Sequence, residues 1–163
     1  MRAAICPGSF DPPTNGHLNI IERGIRIFDR LIVAVAVNMS KEPIFSAEER
    51  AAMLREIFAN HPKIEIDFFD GLLAEYARKR KIHRILRGIR TMSDYEYEFQ
   101  MALANKTLYP ELEIIFLMTE GRYTHLSSSI IKDVVRHGGR AAEMIHPLVE
   151  QQLRAKLCRK EWA

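Results

Sequence analysis

Apolar residues follow two alternating patterns along the first part of the chain. Residues 3–6 and 31–37 are short uninterrupted apolar runs, which are typical of buried strands. Between them, over residues 18–28, apolar side chains recur every three or four positions, the period of a helix with one buried face. The first 37 residues therefore predict a strand, a helix and a second strand.

The same alternation continues to the end of the chain. Ser46 to Glu49 and Ser93 to Glu96 have the spacing of helix capping boxes. Further strands are predicted at 64–68, 82–86 and 113–118, and further helices at 46–58, 72–81, 93–103, 127–137 and 147–157. This order predicts an α/β fold: a Rossmann-like doubly wound sheet of five parallel strands with helices on both faces, plus C-terminal helices.

Length and composition limit the class of protein. The chain has 163 residues, 47% of them hydrophobic and 28% charged, with no repeat, linker or low-complexity segment, so we expect one domain over residues 1–163. No apolar run approaches the roughly 20 residues that cross a bilayer, and the run before Pro7 is too short for a secretory signal. Cys6 and Cys158 lack CxxC spacing. We therefore expect a cytoplasmic protein with no membrane partner.

The loop after the first strand, residues 7–17, is the first candidate for chemistry, because ligands of parallel sheets bind beyond the carboxyl ends of the strands. It contains neither GxGxxG nor GxxxxGK[ST], which argues against a nicotinamide-binding turn and a P-loop. It does offer the Ser9 hydroxyl, two glycines and His17 at the start of a helix, where backbone N–H groups favour a phosphate.

Later strand ends add cations and hydroxyls. Lys41 follows the second strand, Arg87 and Arg90 flank Gly88 after the fourth, and residues 127–129 are three serines at a helix start. Guanidinium groups can bind phosphate with two hydrogen bonds each. Each feature also has an ordinary explanation, as an exposed loop lysine, a solvated charge pair or a helix cap.

Two motifs in the first loop carry a family resemblance. Thr14-Asn15-Gly16-His17 resembles the [HT]xGH motif of the nucleotidylyltransferase superfamily, and Pro7-Gly8-Ser9-Phe10-Asp11-Pro12 resembles the phosphopantetheine adenylyltransferase family. The resemblance covers almost the whole chain. It implies transfer of the adenylyl group of ATP to 4'-phosphopantetheine, a step of coenzyme A biosynthesis, giving dephospho-CoA and pyrophosphate by direct in-line attack.

The resemblance also implies residue roles. Catalytic residues are expected at His17, Lys41 and Arg90, and substrate-binding residues at Ser9, Lys41, Leu73 and Arg87. The expected ATP-binding residues are Ser9, Phe10, His17, Gly88, Ile89, Arg90, Glu98, Tyr123, Thr124, His125, Leu126, Ser127, Ser128 and Ser129. Mg²⁺ is expected to arrive with ATP and not on protein ligands. Family members form hexamers, so a homohexamer is expected, and the apolar C-terminal helix is one possible interface.

Two alternatives stay open. Another nucleotidylyltransferase, acting on nicotinamide mononucleotide or glycerol phosphate, would use the same His17 and Arg90 with a different acceptor pocket. A non-catalytic nucleotide- or RNA-binding module is favoured only by the net charge of +3, the pI near 8.9 and the basic run at 78–81. That run lacks interleaved aromatic residues, so we expect no nucleic-acid partner.

Overall fold

The fold was analysed in a computed structural model, which describes residues 1–37 and 42–157. Strands and helices alternate through the first three quarters of the chain, and helices follow. The elements are β1 Ala3–Gly8, α1 Asn15–Ile27, β2 Arg30–Val37, α2 Ala47–Ile57, β3 Ile64–Asp70, α3 Leu73–Arg80, β4 Arg84–Ile89, α4 Met92–Leu108, β5 Glu113–Met118, a 3₁₀ turn Gly121–Tyr123, α5 Ser128–Arg136 and α6 Pro147–Leu157.

The five strands form one parallel sheet in the order β3-β2-β1-β4-β5. The predicted Rossmann-like α/β sheet of five parallel strands is therefore confirmed. The chain builds outward from β1 to β3, then returns to the other side of β1 for β4 and β5. The order reverses between β1 and β4, which is where a sheet of this type opens a crevice for ligands.

Helices cover both faces of the sheet, because side chains alternate across each strand. Leu31, Val33 and Val35 of β2 join one buried cluster with residues of α1 and α2. Ile32 and Ala34 join the other cluster, with residues of α3 and with Tyr109, which follows α4. The central strands are buried on both sides and thus read as continuous apolar runs in the sequence.

The last two helices build a third apolar cluster at one side of the sheet. Ile131 and Val135 of α5 pack with Val149 and Leu153 of α6, all four at 0% exposure. Gly138, which follows α5, has φ +79°, the left-handed conformation in which many helices end. The apolar face of the C-terminal helix is therefore occupied within its own chain.

Two sequence predictions of local structure are wrong. The capping box expected at residues 93–96 is absent from this described segment, because α4 begins earlier and Thr91 caps it by accepting from the Asp94 N–H. The fourth strand is Arg84–Ile89 instead of 82–86, since Lys81 ends α3 in the left-handed region and the Ile82 N–H still bonds to that helix.

No helix within residues 1–37 and 42–157 is long and apolar enough to cross a membrane. The prediction of one domain over residues 1–163 extends beyond the described ranges and stays a prediction.

Candidate active site

A polar cavity of about 280 Å³ opens at the reversal point between β1 and β4. The first loop forms one wall, the end of β4 forms another, and the start of α5 closes a third side. Its lining residues include Ser9, Phe10, Thr14, Gly16, His17, Arg87, Gly88, Arg90, Asp94, Glu98, Thr119, Leu126, Ser127 and Ser128. Predicted phosphate-binding groups from three separate segments thus converge on one cavity.

His17 is fixed by the cap of α1. Thr14 is the N-cap residue, and its backbone N–H donates to Nδ1 of His17 at 3.0 Å. Its side-chain oxygen accepts from the His17 N–H at 3.3 Å, which completes a reciprocal capping box with histidine in the place of glutamate. Because Nδ1 accepts a hydrogen bond, the neutral ring carries its proton on Nε2.

The surroundings of His17 keep that ring neutral. Burial is the main cause, and the charges of Arg90 and then Arg87 add to it; together they lower the pKa from 6.5 to about 4. At neutral pH the ring therefore presents an uncharged Nε2–H donor within a cavity lined by guanidinium groups. This donor suits an oxygen that gains negative charge.

Phe10 shapes the loop in front of His17. Its backbone is in the left-handed region at φ 49°, which is unusual for a bulky residue. Its buried ring packs edge-on against the His17 ring with centroids 5.1 Å apart. On its other side a Cβ at Gly8 would lie 2.8 Å from Cζ of Phe10, so only glycine leaves room for the ring there. The loop conformation and the histidine position are consequently linked by packing.

Arg87 lies on β4 with its charge neutralised. Its Nε and Nη2 donate to the two carboxylate oxygens of Glu98 on α4, and Nη1 donates to the carbonyl of Pro7. Three of the five N–H groups of the guanidinium are therefore used, and two have no partner among the described residues. The ion pair raises the pKa of Arg87 against the opposing effect of burial.

Arg90 follows the same scheme immediately after β4. Nε and Nη2 donate to the carboxylate of Asp94 at 2.9 and 3.1 Å, and Nη1 donates to the carbonyl of Leu126. Two N–H groups again lack a partner within the described ranges. Asp94 was missed by the sequence analysis, although its spacing of four residues from Arg90 is that of a helical ion pair.

The amino end of α5 faces the same cavity. Ser127 caps the helix by accepting from the Ile130 N–H at 3.1 Å, and the Ser128 hydroxyl donates to the carbonyl of Pro12 at 2.9 Å. The latter bond joins α5 to the first loop. The N–H groups of the first turn lie at the positive end of the helix dipole.

A second, larger cavity of about 490 Å³ adjoins the first. Pro7, Gly8, Ser9, Arg87 and Glu98 line both cavities and form the wall between them. The remaining lining residues are mainly apolar or amide side chains of β3, α3 and α4 and include Phe69, Leu72, Leu73, Tyr97, Met101, Ala102 and Asn105. Leu73 thus lies in a different cavity from His17 and Arg90.

Not every predicted site residue lines a cavity. Ile89, Tyr123, Thr124, His125 and Ser129 are near the first cavity in sequence but are not among its lining residues. Ile89 is buried in the sheet, and His125 is exposed. Lys41 lies outside the described residues, so its predicted role stays a prediction.

Within the described ranges, no group of three or more histidine, cysteine, aspartate and glutamate side chains is arranged to hold a metal ion. The carboxylates that line the first cavity, Asp94 and Glu98, are each bonded to an arginine.

Three features together define the class as an α/β nucleotidyltransferase. They are the strand order of the sheet, the histidine held at the start of α1 and the converging hydrogen-bond donors suited to phosphate. In agreement, the sequence model of the family described as Cytidylyltransferase-like matches residues 5–134. A solved structure titled a putative nicotinate-nucleotide adenylyltransferase from Vibrio parahaemolyticus has the same fold, with a TM-score of 0.68 over 97% of this chain and 95% of that one, at 18% identity.

Curated relatives identify the family within this class. Phosphopantetheine adenylyltransferase of Caldanaerobacter subterraneus subsp. tengcongensis is 51% identical over 96% of this chain and 98% of its own. The enzymes of that name from Anaeromyxobacter dehalogenans and Carboxydothermus hydrogenoformans are 51% and 52% identical, covering 97% and 96% of this chain and 96% of their own lengths. The chain belongs to the phosphopantetheine adenylyltransferase family.

Proposed function

We propose that this chain transfers the adenylyl group of ATP to 4'-phosphopantetheine by direct in-line attack, giving dephospho-CoA and pyrophosphate in coenzyme A biosynthesis. A phosphate oxygen of the acceptor attacks the α-phosphorus, and the bond from that phosphorus to the bridging oxygen breaks as pyrophosphate leaves. The observation that carries the proposal is a neutral His17, held with Nε2 as the donor, in a cavity that shares a wall with a second cavity.

His17 and Ser9 act on the reacting phosphates. The Nε2–H of His17 donates to the α-phosphate as negative charge develops there, and a donor already in place needs no reorganisation during the reaction. Ser9 lines both cavities and holds the attacking phosphate at their shared wall. In-line transfer needs no nucleophilic side chain, so positioning and charge neutralisation supply the rate.

The two arginines divide the phosphates between them. Arg87 lines both cavities and binds the acceptor phosphate through its two remaining N–H groups. Arg90 lines only the first cavity and binds the β- and γ-phosphates. Their carboxylate partners, Glu98 and Asp94, hold each fork in one orientation, which reduces the entropy lost on binding. Lys41 is proposed to neutralise charge between the substrates.

The triphosphate tail is proposed to meet the amino end of α5, through Ser128, Ser129 and backbone N–H groups of the first turn. The pantetheine arm is proposed to occupy the second cavity, beside Leu73, Met101 and Asn105. An arm that carries amides along an apolar chain matches a wall that combines aliphatic side chains with one buried amide. Mg²⁺ is proposed to enter as part of the MgATP substrate.

The basic run at residues 78–81 offers no support for a nucleic-acid function. Arg78 pairs with Glu75 and stacks on Tyr109, and Arg80 pairs with Glu65 and Asp67. These arginines are therefore neutralised by the chain itself.

The test is pyrophosphate release from MgATP by the purified protein, with 4'-phosphopantetheine, nicotinamide mononucleotide or glycerol 3-phosphate as the acceptor. Among the three acceptors, we expect only 4'-phosphopantetheine to give pyrophosphate release. Release with another acceptor only would overturn the assigned substrate and keep the reaction class. No release with any acceptor, from folded protein that binds ATP, would reject adenylyl transfer.

We further propose that the chain acts as a homohexamer, and that α4 supplies part of an interface. Large apolar side chains of α4 are exposed, with Tyr97 at 63% and Leu103 at 55%, and Asn105 is the one buried residue among its described positions. Such a helix needs a covering surface. The alternative interface, the C-terminal helix, already packs on α5.

Light scattering during gel filtration tests the assembly. We expect a mass near six chains for the unaltered protein and a smaller mass for Leu103→Glu, with the neighbouring exposed position Gln100→Glu as the control. A smaller species for the unaltered protein would reject the hexamer, and an unchanged mass for Leu103→Glu would reject the interface. Cytoplasmic location stays a prediction of the sequence.

A further inference from the structure

One arginine of α2 is buried behind the first loop and is not among the lining residues of either cavity. Arg50 is 3% exposed, which is rare for an arginine whose guanidinium has no carboxylate of residues 1–37 or 42–157 within ion-pair distance. Its partners are three backbone carbonyls. Nε donates to Ser46 O at 3.1 Å, and Nη1 donates to Ser9 O at 2.6 Å and Ala36 O at 3.2 Å.

These three carbonyls belong to separate segments. Ser46 is the N-cap of α2, Ala36 lies near the carboxyl end of β2, and Ser9 lies in the first loop. The guanidinium therefore ties the loop to the sheet and to a helix at the same time. A guanidinium suits this arrangement because its donors lie on separate nitrogens of one rigid plane.

Arg50 bonds to the carbonyl of Ser9, and Ser9 immediately precedes Phe10, the strained residue of the loop. Phe10 has φ 49°, and its ring is held between Gly8 and the ring of His17. A left-handed backbone at a bulky residue is unfavourable and persists only where the surroundings hold it. The hydrogen bond from Arg50 stabilises the loop backbone on one side of Phe10.

Asp11 stabilises the loop on the other side of Phe10. Its carboxylate accepts from the Ile44 and Phe45 N–H groups at 3.1 and 3.0 Å and from Lys132 Nζ at 3.2 Å. The backbone of the loop is thus anchored directly before and directly after Phe10. These bonds fix the loop segment that carries Ser9 and leads to His17.

We propose that Arg50 is a positioning residue for adenylyl transfer, which acts through Ser9 O and the Phe10 backbone to set the distance between the donors of Ser9 and His17. The inference rests on the proposed function. Arg50 touches no substrate, so it affects how often the bound substrates reach the reactive geometry and not how tightly they bind. A misplacement near 1 Å can lower the rate by about 10²-fold.

The experiment compares Arg50→Ala and Arg50→Lys with Arg55→Ala, which removes an exposed arginine of the same helix. Pyrophosphate release gives kcat and KM for each substrate, and circular dichroism with urea denaturation gives the folded fraction. For both Arg50 variants we expect kcat to fall by about 10²-fold with KM for ATP changed less than about threefold. Arg55→Ala should match the unaltered protein.

Chemical rescue separates positioning from a general loss of fold. Methylguanidinium at millimolar concentration should restore the kcat of Arg50→Ala at least about tenfold, whereas methylammonium should not, because only a planar fork reproduces the hydrogen bonds. If Arg50→Ala does not fold, Arg50→Lys decides, since it keeps the charge and the aliphatic stem.

Full kcat in folded Arg50→Lys or Arg50→Ala would overturn the proposal, as would a loss in folded Arg50→Ala that methylguanidinium does not reverse. The unaltered protein is assayed in parallel. Its failure to release pyrophosphate would count against the proposed function, and a failure confined to the predicted effects of the variants would count against Arg50 alone.

Discussion

The two ring nitrogens of His17 have different roles, and His17→Asn keeps the role of Nδ1 while removing that of Nε2. The asparagine Oδ1 occupies roughly the place of Nδ1 and can accept from the Thr14 N–H, but no donor remains in the place of Nε2. We therefore expect a folded protein with a slow chemical step. Loss of one donor aimed at developing charge lowers kcat by about 10²- to 10³-fold, and affinity for ATP should change little.

The same variant tests the protonation state. The pKa of His17 is lowered in the folded protein, so between about pH 6.5 and about pH 4 the unfolded chain binds a proton that the native chain does not. Stability linked to His17 is therefore complete above pH 6.5 and is lost as the pH falls through this window. The slope is at most about 1.4 kcal/mol per pH unit, so the loss is about 2 kcal/mol at pH 5.

The assay is urea denaturation at pH 7.5 and pH 5, followed by circular dichroism, together with pyrophosphate release over the same range. His17→Asn should be less acid-sensitive than the unaltered protein by about 2 kcal/mol. His61→Asn makes the same change at an exposed histidine and should leave kcat unaltered, so it serves as the control for kcat. Equal acid sensitivity of His17→Asn and unaltered protein would refute the neutral, partly buried ring. An unchanged kcat would remove its donor from the mechanism.

Three further predictions concern single groups of the site. Thr14→Ala should reduce the free energy of unfolding by about 1 kcal/mol in urea denaturation, since it removes the N-cap oxygen of α1 and leaves the Thr14 N–H in place; an unchanged stability would contradict the cap. Arg90→Ala should weaken ATP binding about 10- to 100-fold by titration calorimetry, as loss of a charged hydrogen-bond donor does; unaltered affinity would contradict the triphosphate assignment. Cys6 should stay unmodified by iodoacetamide at pH 8 in the folded protein, as measured by peptide mapping, because burial raises the pKa of its thiol to about 12; modification before unfolding would contradict that burial.

The fold could be predicted because its signals are local. Strand β2 is buried on both faces and appears as one apolar run, and the amphipathic period of α1 is visible in the sequence. The start of α4 was misplaced for a local reason as well. Ser93 and Glu96 have capping-box spacing, but Thr91 takes the cap because the backbone leaves β4 only two residues earlier, after Ile89.

The site could be predicted only as a set of residues that converge. The motif around His17 predicts a hydrogen-bond donor to phosphate. It does not show which ring nitrogen donates, since that depends on the Thr14 backbone. The partnership of Arg87 with Glu98 spans eleven positions and two elements, and no periodicity indicates it. The sequence did not indicate the role of Arg50 for a related reason. A charged residue in a helix is ordinarily exposed, and the burial of Arg50 depends on carbonyls of two distant segments and of its own helix cap.

The wall that the two cavities share also bears on the design of inhibitors. Ser9 and Arg87 border both spaces, so a compound that fills the first cavity and one that fills the second would both contact the same residues. Joining such compounds by a short linker turns the second binding event into an intramolecular one, with an effective concentration in the millimolar range or above. A weak fragment on each side of Ser9 is therefore a better starting point than a stronger compound confined to one side.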